Sequence, residues 1–177
     1  MNKLTLFMTA LFLAFTASAQ AKGSLEDLSY IEGKWSVTSS FYVEDKWTEP
    51  MASMRATADT VLGGSFIRVD APVSFSGGIF QFEMTLSFDR FHSIYRTMFL
   101  DDLNGYMDVY VGKMKNGILS VSNAETGSSF PDGNGGVVIG SLDIEKTEGG
   151  FVITSFIASG KAGPYAPYMR LGFKHAQ

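Results

Sequence analysis

Ile79-Phe80-Gln81-Phe82-Glu83-Met84-Thr85-Leu86-Ser87-Phe88 is the stretch that decides the fold. Phe80, Phe82, Met84, Leu86 and Phe88 alternate with Gln81, Glu83, Thr85 and Ser87, the period of a strand with one dry face and one wet face. A one-sided pattern of this kind belongs to an antiparallel sheet, because parallel strands are covered on both faces. The same period runs outward along the chain. Trp35, Val37, Phe41 and Val43 alternate with Lys34, Ser36, Thr38 and Ser40, and further strand-like runs fall at 52–61, 65–70, 94–101, 106–113, 118–125, 136–146, 151–158 and 167–174. Asn104-Gly105, Asn116-Gly117 and Glu148-Gly149-Gly150 are hairpin signals between them. The expected fold is therefore all-β: an antiparallel meander barrel of about ten strands, closed or nearly closed because closure removes exposed edges.

One segment departs from this period. Ser24-Leu25-Glu26-Asp27-Leu28-Ser29-Tyr30-Ile31 offers a capping serine, an acid in the first turn and an apolar face of Leu25, Leu28 and Ile31. It is read as one or two helical turns that dock by that face. In a meander, successive connections alternate between the two ends of the barrel. The connections 62–64, 89–93, 114–117 and 147–150 are short and share one end with the helical turn. The connections 44–51, 71–78, 126–135 and 159–166 are longer and share the other, where only 102–105 is short. This asymmetry predicts a barrel plugged at one end, with a loop-rimmed mouth opposite, the shape of a ligand cup. A filled barrel whose loops drifted in length is the alternative, since loop insertion costs little.

The beginning of the chain reads as a processing segment. Lys3, an apolar run from Leu4 to Phe15 and the small-x-small Ala17-Ser18-Ala19 form a signal peptide over 1–19, with cleavage expected before Gln20. The run is too short to span a bilayer as a mature helix. The product, a single domain over 20–177, is then expected outside the cytoplasm, in a bacterial periplasm, with no integral membrane segment after cleavage. The full chain of 177 residues carries 14 Lys and Arg against 18 Asp and Glu, a net charge of −4. The leader contributes Lys3 alone, so the mature balance is −5, a poor match for a nucleic-acid backbone or an anionic membrane. There is no cysteine, so neither a disulfide nor a lipid anchor through cysteine can form.

Gly33-Lys34-Trp35, on the first strand after a short turn, resembles the G-x-W signature of the calycin superfamily, which includes lipocalins and fatty-acid-binding proteins. Leu62-Gly63-Gly64-Ser65-Phe66, and Phe88-Asp89 followed by Tyr95, are similar to segments of an uncharacterised bacterial family of calycin-like domains. The resemblance covers most of the mature chain and implies a calycin barrel with Gly33, Trp35, Leu62, Gly63 and Gly64 as structural signature residues. It implies no activity. Lipocalins also place an Arg of the last strand across the Trp, and Arg170 is the candidate, although an inward face of Met169, Leu171 and Phe173 would turn it outward.

Motifs for covalent chemistry are lacking. The two histidines are His92, in a turn, and His175, near the C-terminus, and neither a G-x-S-x-G elbow nor an H-E-x-x-H pair is present. Gly133, Gly135 and Gly136 lack the context of a phosphate loop. Asp101-Asp102 beside Asn104-Gly105 is turn chemistry rather than a catalytic pair, Met51 and Met54 read as packing rather than a copper site, and His175 reads as a solvated terminal residue rather than a haem ligand. No catalytic residue, metal or cofactor is assigned. What remains is a secreted barrel that binds a small, largely apolar molecule without catalysis. Phe80, Phe82, Met84, Leu86 and Phe88 are expected on the wall, and Trp47, Phe75, Phe130 and Tyr165 at the mouth. Arg68 and Arg96 lie in otherwise apolar strands: each either faces inward, where it would anchor a ligand carboxylate, or faces outward against a surface acid. Two other classes stay open. An enzyme using the same cup would need a carboxylate inside the barrel, and a filled interaction module would carry an outer apolar patch, from Val109 with Val111 or Tyr106 with Tyr110. The inward parity of 65–70, 94–101 and 106–111 is not decided by pattern.

Overall fold

Alternating burial marks most long strands of the computed structural model, which describes residues 23–131, 136–160 and 163–176. The strands are β1 (Gly33–Val43), β2 (Lys46–Trp47), β3 (Met54–Val61), β4 (Phe66–Phe75), β5 (Gly78–Asp89), β6 (Ile94–Asp101), β7 (Tyr106–Lys115), β8 (Ile118–Ser122), β9 (Phe130–Pro131), β10 (Val137–Thr147), β11 (Gly150–Ser159) and β12 (Ala166–His175). Ten of them form a closed antiparallel barrel in meander order, sealed where β12 pairs β1 and β10 pairs β11. The two-residue strands β2 and β9 pair off this ring, on β1 and β10. The fold is the all-β meander barrel expected from the period-two pattern.

The segment before β1 is a 3₁₀ turn, Leu25–Ile31, at the barrel end where β1 begins and β12 finishes. Ser24 is its N-cap residue, as expected, and forms a capping box with Asp27, whose Oδ2 accepts the Ser24 N–H at 2.7 Å. Leu28 and Ile31 are fully buried, and Trp35 Nε1 donates to the Ile31 carbonyl at 2.8 Å. Tyr95 Oη lies 2.9 Å from Asp27 Oδ2 and 3.1 Å from the Ser24 carbonyl, tying the turn to β6. Behind these contacts Phe151 stacks on Phe173 at 4.3 Å, meets Trp35 edge-on at 5.1 Å, and His175 stacks on the other part of Trp35 at 4.3 Å. This end of the barrel is closed.

The turn between β3 and β4 shows why two glycines stand together. Leu62, Gly63 and Gly64 have φ of 49°, 68° and 86°, a left-handed run that a chain of L side chains resists. One expected boundary is wrong. Residues 71–75 continue β4, so the connection 71–78 shrinks to Ser76 and Gly77. Pro72 is tolerated within the strand because β3 pairs β4 only from Thr57–Asp70 to Val61–Phe66, so it owes no N–H to that neighbour. Ala71 and Val73 are buried on the inner face.

Candidate functional site

At the end opposite the 3₁₀ turn the barrel opens into a cavity of about 560 Å³. Its walls are ring pairs drawn from separate strands: Phe75 with Phe80 at 5.8 Å, Phe41 with Tyr168 at 6.4 Å, and Tyr106 with Phe130 at 5.5 Å. Phe99 closes the inner side and packs at 4.8 Å on Phe82, one inward step deeper. Below that contact the barrel is filled, with Met84, Leu86, Leu119 and Ile144 fully buried. The cavity therefore occupies only the mouth half.

One sector of this wall is polar. On β7 the inward residues are Tyr106, Asp108 and Tyr110, so the valines of that strand face out. Asp108 is 1% exposed and Asn123, just past β8, is fully buried. The Asp108 carboxylate accepts the Tyr106 hydroxyl, the Asn123 side-chain amide and the Val109 N–H, the last at 2.7 Å. Asn123 Oδ1 in turn accepts the Gly140 N–H at 2.8 Å. A β-carbon on Gly140 would lie 2.6 Å from Tyr110 Oη, so a larger residue there would displace that ring. Burial first, then the hydrogen bond to Asp108, hold the Tyr106 hydroxyl well above the usual phenol range. Tyr110 is pushed up by burial first and then by the charge of Tyr106 and Asp108. Both are therefore protonated phenols at any physiological pH, beside a carboxylate that the barrel wall keeps from water.

The expected site residues divide sharply. Phe80, Phe75 and Phe130 line the cavity. Phe82, Met84 and Leu86 face inward but pack in the filled half, and Phe88 packs at 5.0 Å on Tyr95 at the closed end. Trp47 and Tyr165 are not on the wall. Trp47 lies outside the barrel against Tyr42, under the Arg170 guanidinium at 4.1 Å, so Arg170 faces outward and serves this ring rather than Trp35. Tyr165 is half-exposed, with its hydroxyl 3.3 Å from Ser122 Oγ. Neither arginine enters the barrel. Arg68 pairs outward with Asp70 at 3.0 Å, because Ile67 and Val69 take the inner face of β4. Arg96 pairs outward with Asp89 at 2.9 Å, because Tyr95 and Thr97 take the inner face of β6. Asp89 also binds His92 Nδ1 at 2.8 Å and accepts two N–H groups of the 90–93 turn, and Arg96 first, then His92, hold its carboxyl below the usual carboxylate range. Asp101 and Asp102 do turn work: Asp101 accepts the Asn104 N–H at 2.8 Å and Asp102 accepts the Gln81 N–H at 2.7 Å. The glycines 133 and 135 lie outside the described residues.

Residues 24–174 match the family described as protein of unknown function (DUF1579). The chain belongs to that family. The match spans the 3₁₀ turn and nearly the whole barrel, so the family domain includes the closed end, the aromatic cavity and the Tyr106–Asp108–Asn123 cluster alike. No curated protein matches the chain.

Sequence reasoning missed the polar cluster altogether. Its local signal is Tyr106-x-Asp108-x-Tyr110, three residues that share one strand face. A hydrophobicity count prefers the other face, Met107, Val109 and Val111, and the partner that makes burial of Asp108 tolerable comes from another strand end.

Proposed function

We propose that this member of the family is an exported, calycin-like barrel that binds a small, largely apolar molecule in the mouth half of the barrel, without covalent chemistry. The observation that carries the reading is the cavity itself: about 560 Å³, open at one end, and walled mainly by aromatic side chains. That volume falls within the range of roughly 300–1,000 Å³ typical of small-molecule sites. Aromatic walls supply large apolar contact with few rotatable bonds, which lowers the entropy lost on binding. The meander order, with Trp35 on β1 packed over the 3₁₀ turn, supports the calycin-like placement. The export reading rests on Lys3, the apolar run and Ala17-Ser18-Ala19, which lie outside the described residues.

Native mass spectrometry of the protein purified from its own source tests the reading. A reproducible extra mass released on unfolding is the expected result. A clean apo mass, with no uptake from a mixed lipid extract, would overturn it.

An enzymatic reading is favoured by one observation, the inward carboxylate of Asp108 beside two cavity-lining phenols. All three of its hydrogen-bond donors are supplied by the barrel itself, which fits a residue that holds the wall in place rather than one that trades protons with a guest.

A further inference from the structure

From the polar sector of the cup we infer the class of its guest: an apolar molecule bearing a protonated amine, held by the Tyr106 oxygen and by aromatic faces, in preference to a fatty acid. The inference rests on the binding reading above and narrows it.

Three features converge. The first is charge. No Lys, Arg or His is among the described residues that line the cavity, while Asp101 lines it and Asp108 stands directly behind Tyr106. Asp101 and Tyr106 are cross-strand partners, as are Phe99 and Asp108, so both carboxylates belong to one sector of the wall. A ligand carboxylate entering here would meet two like charges and, among the described lining residues, no cation to offset its desolvation.

The second is the direction of the protons. A tyrosine hydroxyl has one proton and two lone pairs. Tyr106 gives its proton to Asp108, so whatever it offers a guest is acceptor capacity, shared with the neighbouring Tyr110 hydroxyl and Asn123 amide, and polarisation by the buried carboxylate raises the charge on that oxygen. Asn123 likewise spends its amide on Asp108 and its carbonyl on Gly140. Asp101 uses one oxygen for the Asn104 N–H. The sector therefore sets the Asp101 carboxylate and the Tyr106 oxygen as acceptors, with the Asn104 amide and the Tyr110 hydroxyl as the donors beside them. Asp108 never touches the guest; it is a positioning residue that acts through Tyr106.

The third is the surrounding rings. Phe41, Phe75, Phe80, Phe99 and Phe130 present π faces and edges to the same space. Aromatic faces attract a cation, most strongly where water is excluded.

The test is a head-group series at one chain length. Octylamine, octanol and octanoate are titrated against the intact barrel at neutral pH, by calorimetry and by displacement of a neutral fluorescent naphthylamine probe. Octylamine is expected to bind at least about tenfold more tightly than octanoate, with octanol between them. Tyr106→Phe keeps the Asn123 and Val109 bonds to Asp108, and Asp101→Asn keeps a side-chain oxygen for the Asn104 N–H, so both variants should fold. Each is expected to reduce the ratio of amine to alcohol affinity while leaving octanol binding nearly unchanged, a shift in preference that a merely structural role would not produce. Octanoate binding as tightly as octylamine would overturn the inference, as would an undiminished preference in both variants. Failure of all three compounds and of the neutral probe would remove the cup reading itself, which separates the two failures.

Discussion

The two ends of this barrel are built from the same kinds of side chain and come out differently. At the closed end Trp35, Phe151 and Phe173 interlock at 4.3–5.1 Å, and the 3₁₀ turn seals them with Leu28 and Ile31. At the mouth, ring pairs stand 5.5–6.4 Å apart around about 560 Å³ of space. The difference is not composition but cover. A short segment with a buried apolar face lies over one end, whereas at the other Leu103, Asn104 and Phe130 edge an open cavity. Polar groups divide in the same way. At the closed end they pin the plug, through the Trp35 and Tyr95 bonds to the turn. At the mouth they form a cluster in the wall itself. The residues that carry the family resemblance, from Gly33 and Trp35 to Leu62–Gly64, Phe88, Asp89 and Tyr95, all sit at or near the closed end. They explain why the chain folds, and the mouth must explain what it does.

Breaking the closed end is the largest perturbation available. Trp35→Ala removes the ring that joins the 3₁₀ turn to the Phe151–Phe173 stack and is expected to cost about 3–5 kcal/mol, read by urea denaturation, with guest affinity unchanged in the folded fraction. At the mouth, Asn123→Ala takes one donor from the buried Asp108 carboxylate and the acceptor from the Gly140 N–H, for an expected loss of about 2–4 kcal/mol by the same measurement. Here guest affinity should fall as well, because Tyr106 loses its fixed position.

A smaller effect belongs to Asp89, on the outer surface near the closed end. Its folded carboxyl ionises below the ordinary value, so it contributes stability that is fully present above that ordinary value near 3.8 and is lost as pH falls below it. The stability gap between the wild-type protein and Asp89→Asn should therefore be present at neutral pH and close in acid. The smallest effect is Arg68→Met. Its exposed pair with Asp70 should change stability by no more than about 0.5 kcal/mol and leave guest uptake untouched. A marked loss of uptake there would break the distinction between wall and outer surface.

Much of the closed end is legible in the sequence. Period-two patterning in β1 and β5, the apolar face of 25–31 and the alternation of short and long connections, which fails at Ser76 and Gly77, lead to a plugged barrel with the mouth where it is found. The strand parities of β4, β6 and β7 are not legible, for a common physical reason. Each of these strands carries bulky or polar side chains on both faces, so transfer energies of single residues nearly cancel and non-local pairing decides. Arg68 and Arg96 look like buried anchors until Asp70 and Asp89 are seen to hold them outside. Asp108 looks like a surface acid until Asn123 is seen to make its burial tolerable. Residues 71–75 look like a loop, yet Pro72 is tolerated in the strand because the β3–β4 pairing stops at Asp70.

Amide NMR titration with a neutral apolar guest tests the central claim most directly, because it reports where the guest sits. Saturable shifts confined to the mouth half, at Phe41, Phe75, Phe99, Tyr110 and Tyr168, with Trp35, Phe151 and Phe173 unmoved, are the predicted result. Shifts centred on the closed end or on the outward face of β6 and β7, or no saturable shifts at all, would contradict it.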